Sequence, residues 1–166
     1  FAFLAVSLNL DLIAPVLLRD EVYLKALPIV PVLLMANLFL GIYYNLSVWY
    51  KLTDNTKSGA FIAVGGAVIT IVGNFLFIPQ FGYMGSVYVT LFVYFSMTVV
   101  SYLWGQKIFA VPYKLHGLFY IIFALGVYIA GEYLNHDHFY INKFFDFLLL
   151  GMFVAVALIR EKKFLK

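Results

Sequence analysis

Apolar residues run in long unbroken stretches along this chain, and short charged or turn-forming clusters separate them. Alternation over about ten residues, as barrel strands would show, is absent, so the pattern predicts helices that satisfy their own backbone in lipid. Six stretches approach the length of about 20 residues that crosses a bilayer. They cover residues 1–18, 26–50, 59–78, 85–104, 115–133 and 144–159, and Pro79 is expected to stop the third. The fold class that follows is all-α, a polytopic membrane protein of six transmembrane helices.

Composition sharpens this. Of 166 residues, 64% are hydrophobic and 11% charged, with mean hydropathy +0.97, whereas soluble domains are about 45–50% apolar and about 25% charged. A water-soluble fold is excluded, and six spans leave no room for a folded extramembrane domain. The net charge of +3 does not indicate nucleic acid, because the basic residues sit in short loops and at the C-terminus with no basic run interleaved with aromatics. They read as topology signals. Eight of the 11 Lys and Arg fall on one side of the six-span arrangement and three (Arg19, Lys25, Lys143) on the other, so the C-terminus is expected to be cytoplasmic. Lys143 is thereby placed in an outer loop. Because the first residue is Phe1 inside an apolar run, the sequence reads as the C-terminal piece of a longer chain.

Polar and small residues recur at helical spacing in four spans, where such faces should meet protein or water. Ser7, Asp11 and Pro15 align in the first, and Asn37, Gly41, Tyr44 and Asn45 in the second. The third carries Gly59, Ala63 and Ala67, with Gly66, Thr70, Gly73 and Asn74 on a neighbouring strip; the fourth carries Ser86, Thr90, Tyr94, Met97 and Ser101. Four such faces in consecutive helices suggest a shared water-accessible lumen, against the plainer reading of hydrogen bonds between helices. Spans five and six lack such faces and read as peripheral. Asp11, taken as the only acid well inside a span, either couples transport to a proton or cation, or is protonated or bonded between helices near a Pro15 kink. Asp146 is expected in the first turn of the last helix, favoured by the helix dipole. Pro28 and Pro31 either break the second span as a hinge or tilt its start.

Catalytic and metal chemistry find little footing. Glu132, His136, Asp137 and His138 lack zinc-type spacing, the absence of cysteine removes thiolate sites, and His116 cannot converge with the other histidines on a hydrolytic set. The Asn45-Leu46-Ser47 sequon lies within a span, and Gly65-Gly66 lies in a helix rather than at a strand-to-helix phosphate turn. No metal, no cofactor and no enzymatic activity are expected.

The residues from 37 to 113 carry a signature: Asn45, Trp49-Tyr50-Lys51, the polar turn at 53–57, Asn74, Ile78-Pro79, Phe81-Gly82-Tyr83, Lys107 and Pro112-Tyr113. In these the chain resembles the bacterial polysaccharide transporter, or O-antigen (lipopolysaccharide) flippase, family of the multidrug/oligosaccharidyl-lipid/polysaccharide exporter superfamily. The resemblance implies a two-lobe exporter fold of fourteen helices. Residues 1–104 would then be the last four helices of the C-terminal transport lobe, and residues 105–166 two accessory transmembrane helices and a cytoplasmic tail. It further implies flipping of a polyprenyl-diphosphate-linked oligosaccharide across the bacterial cytoplasmic (inner) membrane by alternating access, with the lipid bilayer and a missing N-terminal lobe of the same chain as partners. Asn37, Tyr44, Asn45, Ser86, Thr90 and Tyr94 are the candidates for facing the sugars, and Asp11 for the coupling ion. Pro15, Pro28, Pro31, Gly59, Gly66, Gly73 and Asn74 are the hinge and packing candidates. No Lys or Arg lies deep in the first four spans to meet the diphosphate. A cation-coupled multidrug exporter of the same superfamily, which Asp11 and the aromatic residues would suit, and a membrane-embedded glycosyl- or acyltransferase are the alternatives.

Overall fold

The computed structural model describes residues 2–17, 26–108, 116–133 and 139–162, and these are almost wholly helical, with no strand among them. Eight helices follow in order: α1 (Ala2–Ser7), α2 (Leu10–Leu17), α3 (Ile29–Leu46), α4 (Val48–Leu52), α5 (Thr56–Phe81), α6 (Tyr83–Ile108), α7 (His116–Tyr133) and α8 (Phe139–Lys162). Among the described residues four stretches are long and apolar enough to cross a membrane: Ile29–Leu52, Thr56–Phe81, Tyr83–Ile108 and Asn142–Ile159. The protein is therefore membrane-embedded. The other two expected spans are not among these four. The first is divided between α1 and α2, and the fifth is the 18-residue helix α7.

Two compact units make up the chain, residues 28–112 and residues 1–27 with 113–166. The first expected span thus groups with the last two helices.

In the unit of residues 28–112, α6 packs against both α3 and α5. Pro28 caps α3 and Pro31 lies in its first turn, where a missing N–H costs nothing because those amides have no helical partner. Neither proline breaks the helix. Helix α4 ends in a Schellman arrangement. Asp54 takes a left-handed φ of +57°, which its short polar side chain tolerates, and the Asn55 N–H returns to the Tyr50 carbonyl at 2.9 Å. Helix α5 does not stop at Pro79. It runs on to Phe81, and the N–H of Gly82 at φ +57° closes its last turn on the Ile78 carbonyl. Pro79 sits so near the end that only one internal bond is lost, while the left-handed backbone that terminates the helix requires glycine.

Small residues set the helix separations in this unit. Gly66 faces Met97 and Gly73 faces Val89, both on α6, whereas Ala63 and Ala67 are exposed. The close-packing face of α5 is therefore the Gly66–Gly73 strip, and of the expected Gly59, Ala63 and Ala67 face only Gly59 is buried, beneath Tyr50.

The other unit joins α1 to α7 and α7 to α8. Phe3 meets Tyr128 edge-on at 5.8 Å, and Phe123 stacks on Phe153 at 5.7 Å. Helix α8 begins at Phe139, so Asp146 lies two turns inside it instead of in its first turn, and Lys143 is a buried helical residue instead of an outer-loop one.

Candidate functional site

On α3, Asn37, Tyr44 and Asn45 are all exposed. The Asn37 and Asn45 side-chain amides donate to the Leu33 and Gly41 carbonyls, at 2.9 and 3.2 Å. On α6, Ser86, Thr90 and Tyr94 are half-buried, and the Thr90 hydroxyl donates to the Ser86 carbonyl at 2.8 Å. These bonds are within single helices and leave the exposed faces for other partners. Contacts between α3 and α6 are made by different residues. Thr98 Oγ1 lies 2.9 Å from the Phe39 carbonyl and 2.8 Å from the Tyr94 carbonyl, and the Phe39 and Phe95 rings meet edge-on. Asn74 is half-buried on α5, and its Oδ1 has no hydrogen-bond partner. Between α5 and α6 runs an apolar groove of about 580 Å³, walled by Val68, Val72, Phe77, Tyr88 and Phe92.

The strongest polar constellation is in the other unit, where the first span is broken. After Ser7 the helix stops for two residues and resumes at Leu10. Five bonds hold the gap: Leu8 N–H to the Leu4 carbonyl at 3.0 Å, Asn9 N–H to the Val6 carbonyl at 3.3 Å, Leu12 N–H and Ile13 N–H to the Asn9 carbonyl at 3.1 and 3.0 Å, and the Asn9 side-chain amide to the Ala5 carbonyl at 3.0 Å. Side-chain amides compete with the helix for backbone carbonyls in this way. With Leu12 diverted to Asn9, the Leu8 carbonyl loses its helical donor. The Lys143 ammonium replaces it, 3.0 Å away.

Lys143 also meets Asp11 at 2.9 Å and Asp146 at 3.2 Å. The Lys143 and Asp146 side chains are 9% and 14% exposed, and that of Asp11 63%. Spacing of three residues on α8 puts Lys143 and Asp146 on one face. Of the two readings of Asp11, the interhelical bond is therefore present, to an ammonium. The break precedes Pro15, through which α2 continues, so the proline does not mark the bend. Ser7 Oγ and Asn9 Oδ1, one residue on either side of the freed carbonyl, are buried without a hydrogen-bond partner.

Sequence reasoning selected Asp11 and missed Lys143 and the interior place of Asp146. A signal was present, because two acids in apolar segments demand a cation and Lys143 lies one helical turn from the second. Among the described residues no three His, Asp or Glu groups gather as a metal site. The 19–25 turn and His136-Asp137-His138 lie outside the described residues.

Comparison with protein-family models, with curated proteins and with solved structures gives no match.

Proposed function

We propose that the chain is part of an alternating-access transporter in the bacterial cytoplasmic membrane that flips a polyprenyl-diphosphate-linked oligosaccharide, with its C-terminus in the cytoplasm. The observation that carries the transporter reading is the break at Leu8 and Asn9, whose freed carbonyl and adjoining Asp11 hold the Lys143 ammonium. Discontinuous helices with unwound carbonyls that coordinate cations are a recurring device of secondary transporters. The substrate class rests on the resemblance through Asn45, Trp49, Asn74 and Phe81-Gly82-Tyr83. In this reading Asn37, Tyr44, Asn45, Ser86, Thr90 and Tyr94 supply hydroxyl and amide groups to sugars, and the six-span count and the fourteen-helix exporter fold belong to the same proposal. The accumulated charge at Asp11 also suits a cation-coupled multidrug exporter, which is the second reading.

Deletion of the gene from its host separates the two. A flippase predicts lipid-linked repeat units, chemically intact, accumulating in the inner leaflet. Normal surface polysaccharide together with new sensitivity to amphipathic cations would favour the drug exporter.

A further inference from the structure

We propose that the helix break at Leu8 and Asn9 is a monovalent-cation site whose resident occupant is the protein's own Lys143 ammonium. Its ligands include one backbone carbonyl and two carboxylates at 2.9–3.2 Å, all oxygens, which suit a hard cation such as an alkali-metal ion or ammonium rather than a soft metal. Within the triad, two carboxylates face one ammonium, so the site keeps a net negative charge even when filled. Ser7 and Asn9, the residues before and after Leu8, are 8% and 9% exposed, and Ser7 Oγ and Asn9 Oδ1 are without a hydrogen-bond partner. Buried polar oxygens are ordinarily satisfied, and these two are spare acceptors on the residues that adjoin Leu8. The exposed Asp11 carboxylate gives the site an open side, while Lys143 and Asp146 close the other.

A tethered cation has a specific consequence. The site needs no dissolved ion while Lys143 is in place, and becomes a receptor for one when the ammonium is removed. Neither the geometry nor the test depends on what the chain transports.

The test is the thermal unfolding of the full-length protein in detergent, for wild type and Lys143→Met, titrated with NaCl, KCl, methylammonium chloride and, at matched ionic strength, choline chloride. Wild type is expected to respond equally to all four. Lys143→Met is expected to lose about 10 °C in Tm, since the mostly buried Asp146 carboxylate loses its ammonium, and to regain at least half of it with one or more of the three small cations but not with choline. A loss with no cation-selective recovery overturns the proposal, as does a wild-type protein that responds selectively to the same cation. Should Lys143→Met fail to fold, Lys143→Met/Asp146→Leu, which leaves only the exposed Asp11 carboxylate, is expected to fold and to be indifferent to cation identity. Failure of the double variant to restore folding would also overturn it.

Discussion

The Trp49 indole N–H donates to the Ser101 hydroxyl across 3.4 Å, and both side chains are almost fully buried. Gly105, one turn further along α6, lies against the same indole, so that a Cβ placed on it would stand 2.8 Å from Trp49 Cδ1. One aromatic side chain thus fixes where α4 meets the end of α6.

Because an indole is rigid and this one is enclosed, Gly105→Ala forces a shift of the packing and is expected to cost about 1–3 kcal/mol. Gly65→Ala, with nothing within 4 Å of the new Cβ, is its control and should leave stability unchanged or slightly raised. Thermal unfolding of the full-length protein in detergent, followed by Trp fluorescence, checks both.

Adjacent positions on α5 should differ as sharply. A Cβ at Gly66 would stand 2.6 Å from Met97 Sδ, and a thioether can move aside for one methyl group but not for an isobutyl group. Gly66→Ala should be mild and Gly66→Leu should cost about 1–3 kcal/mol, while Ala67→Leu, on the exposed face, should change stability by less than about 0.5 kcal/mol. Equal damage at 66 and 67 would mean that the face of α5 turned to α6 has been misassigned.

Where unbroken apolarity decided the matter, the fold was legible. Helices α3, α5 and α6 occupy the segments that the sequence marks, because a membrane helix is defined by what it lacks. Their ends were harder. Pro79 looks like a terminator, yet only Gly82 reaches the left-handed φ that closes α5, and proline in the last turn removes a single bond. Hydropathy also could not show the break at Leu8 and Asn9, since the competing amide is one Asn among apolar neighbours. A lysine beside a polar segment reads as solvated, yet Lys143 is a buried helical residue. Its partners Leu8 and Asp11 are more than a hundred residues away in the chain, a separation to which local pattern is blind. The hydroxyl and amide faces at Asn37, Asn45 and Thr90 are visible as faces, while the intrahelical bonds that the same side chains make depend on rotamers.

Asp11→Asn should separate function from folding. The amide oxygen can still accept from Lys143, and the side chain is 63% exposed, so little change in unfolding temperature is expected. If this carboxylate couples substrate movement to an ion, the full-length variant should lower the flux of lipid-linked repeat units into the outer leaflet by about tenfold, the size of a typical coupling free energy. Wild-type flux at wild-type expression would assign Asp11 a structural part alone.

The turn between α5 and α6 ranks its own residues. At Gly82, φ +57° with ψ −142° is a conformation that side chains strain to adopt, so Gly82→Ala should cost about 1–3 kcal/mol. Gly85 is tighter still, since a Cβ there would lie 2.5 Å from the Phe77 carbonyl oxygen. A backbone carbonyl cannot rotate away as a side chain can, and relief would require the two helices to separate. Gly85→Ala is therefore expected to be the most damaging of the glycine replacements, losing more than Gly82→Ala and much of the yield of folded protein. Pro79→Ala goes the other way, because it supplies the missing N–H to the Phe75 carbonyl and relieves the ring contact, and it should be neutral or stabilising. Purification yield and unfolding temperature of the three variants in one detergent give the order, and a Pro79→Ala protein less stable than Gly85→Ala would show that the proline, and not the glycines, holds the turn.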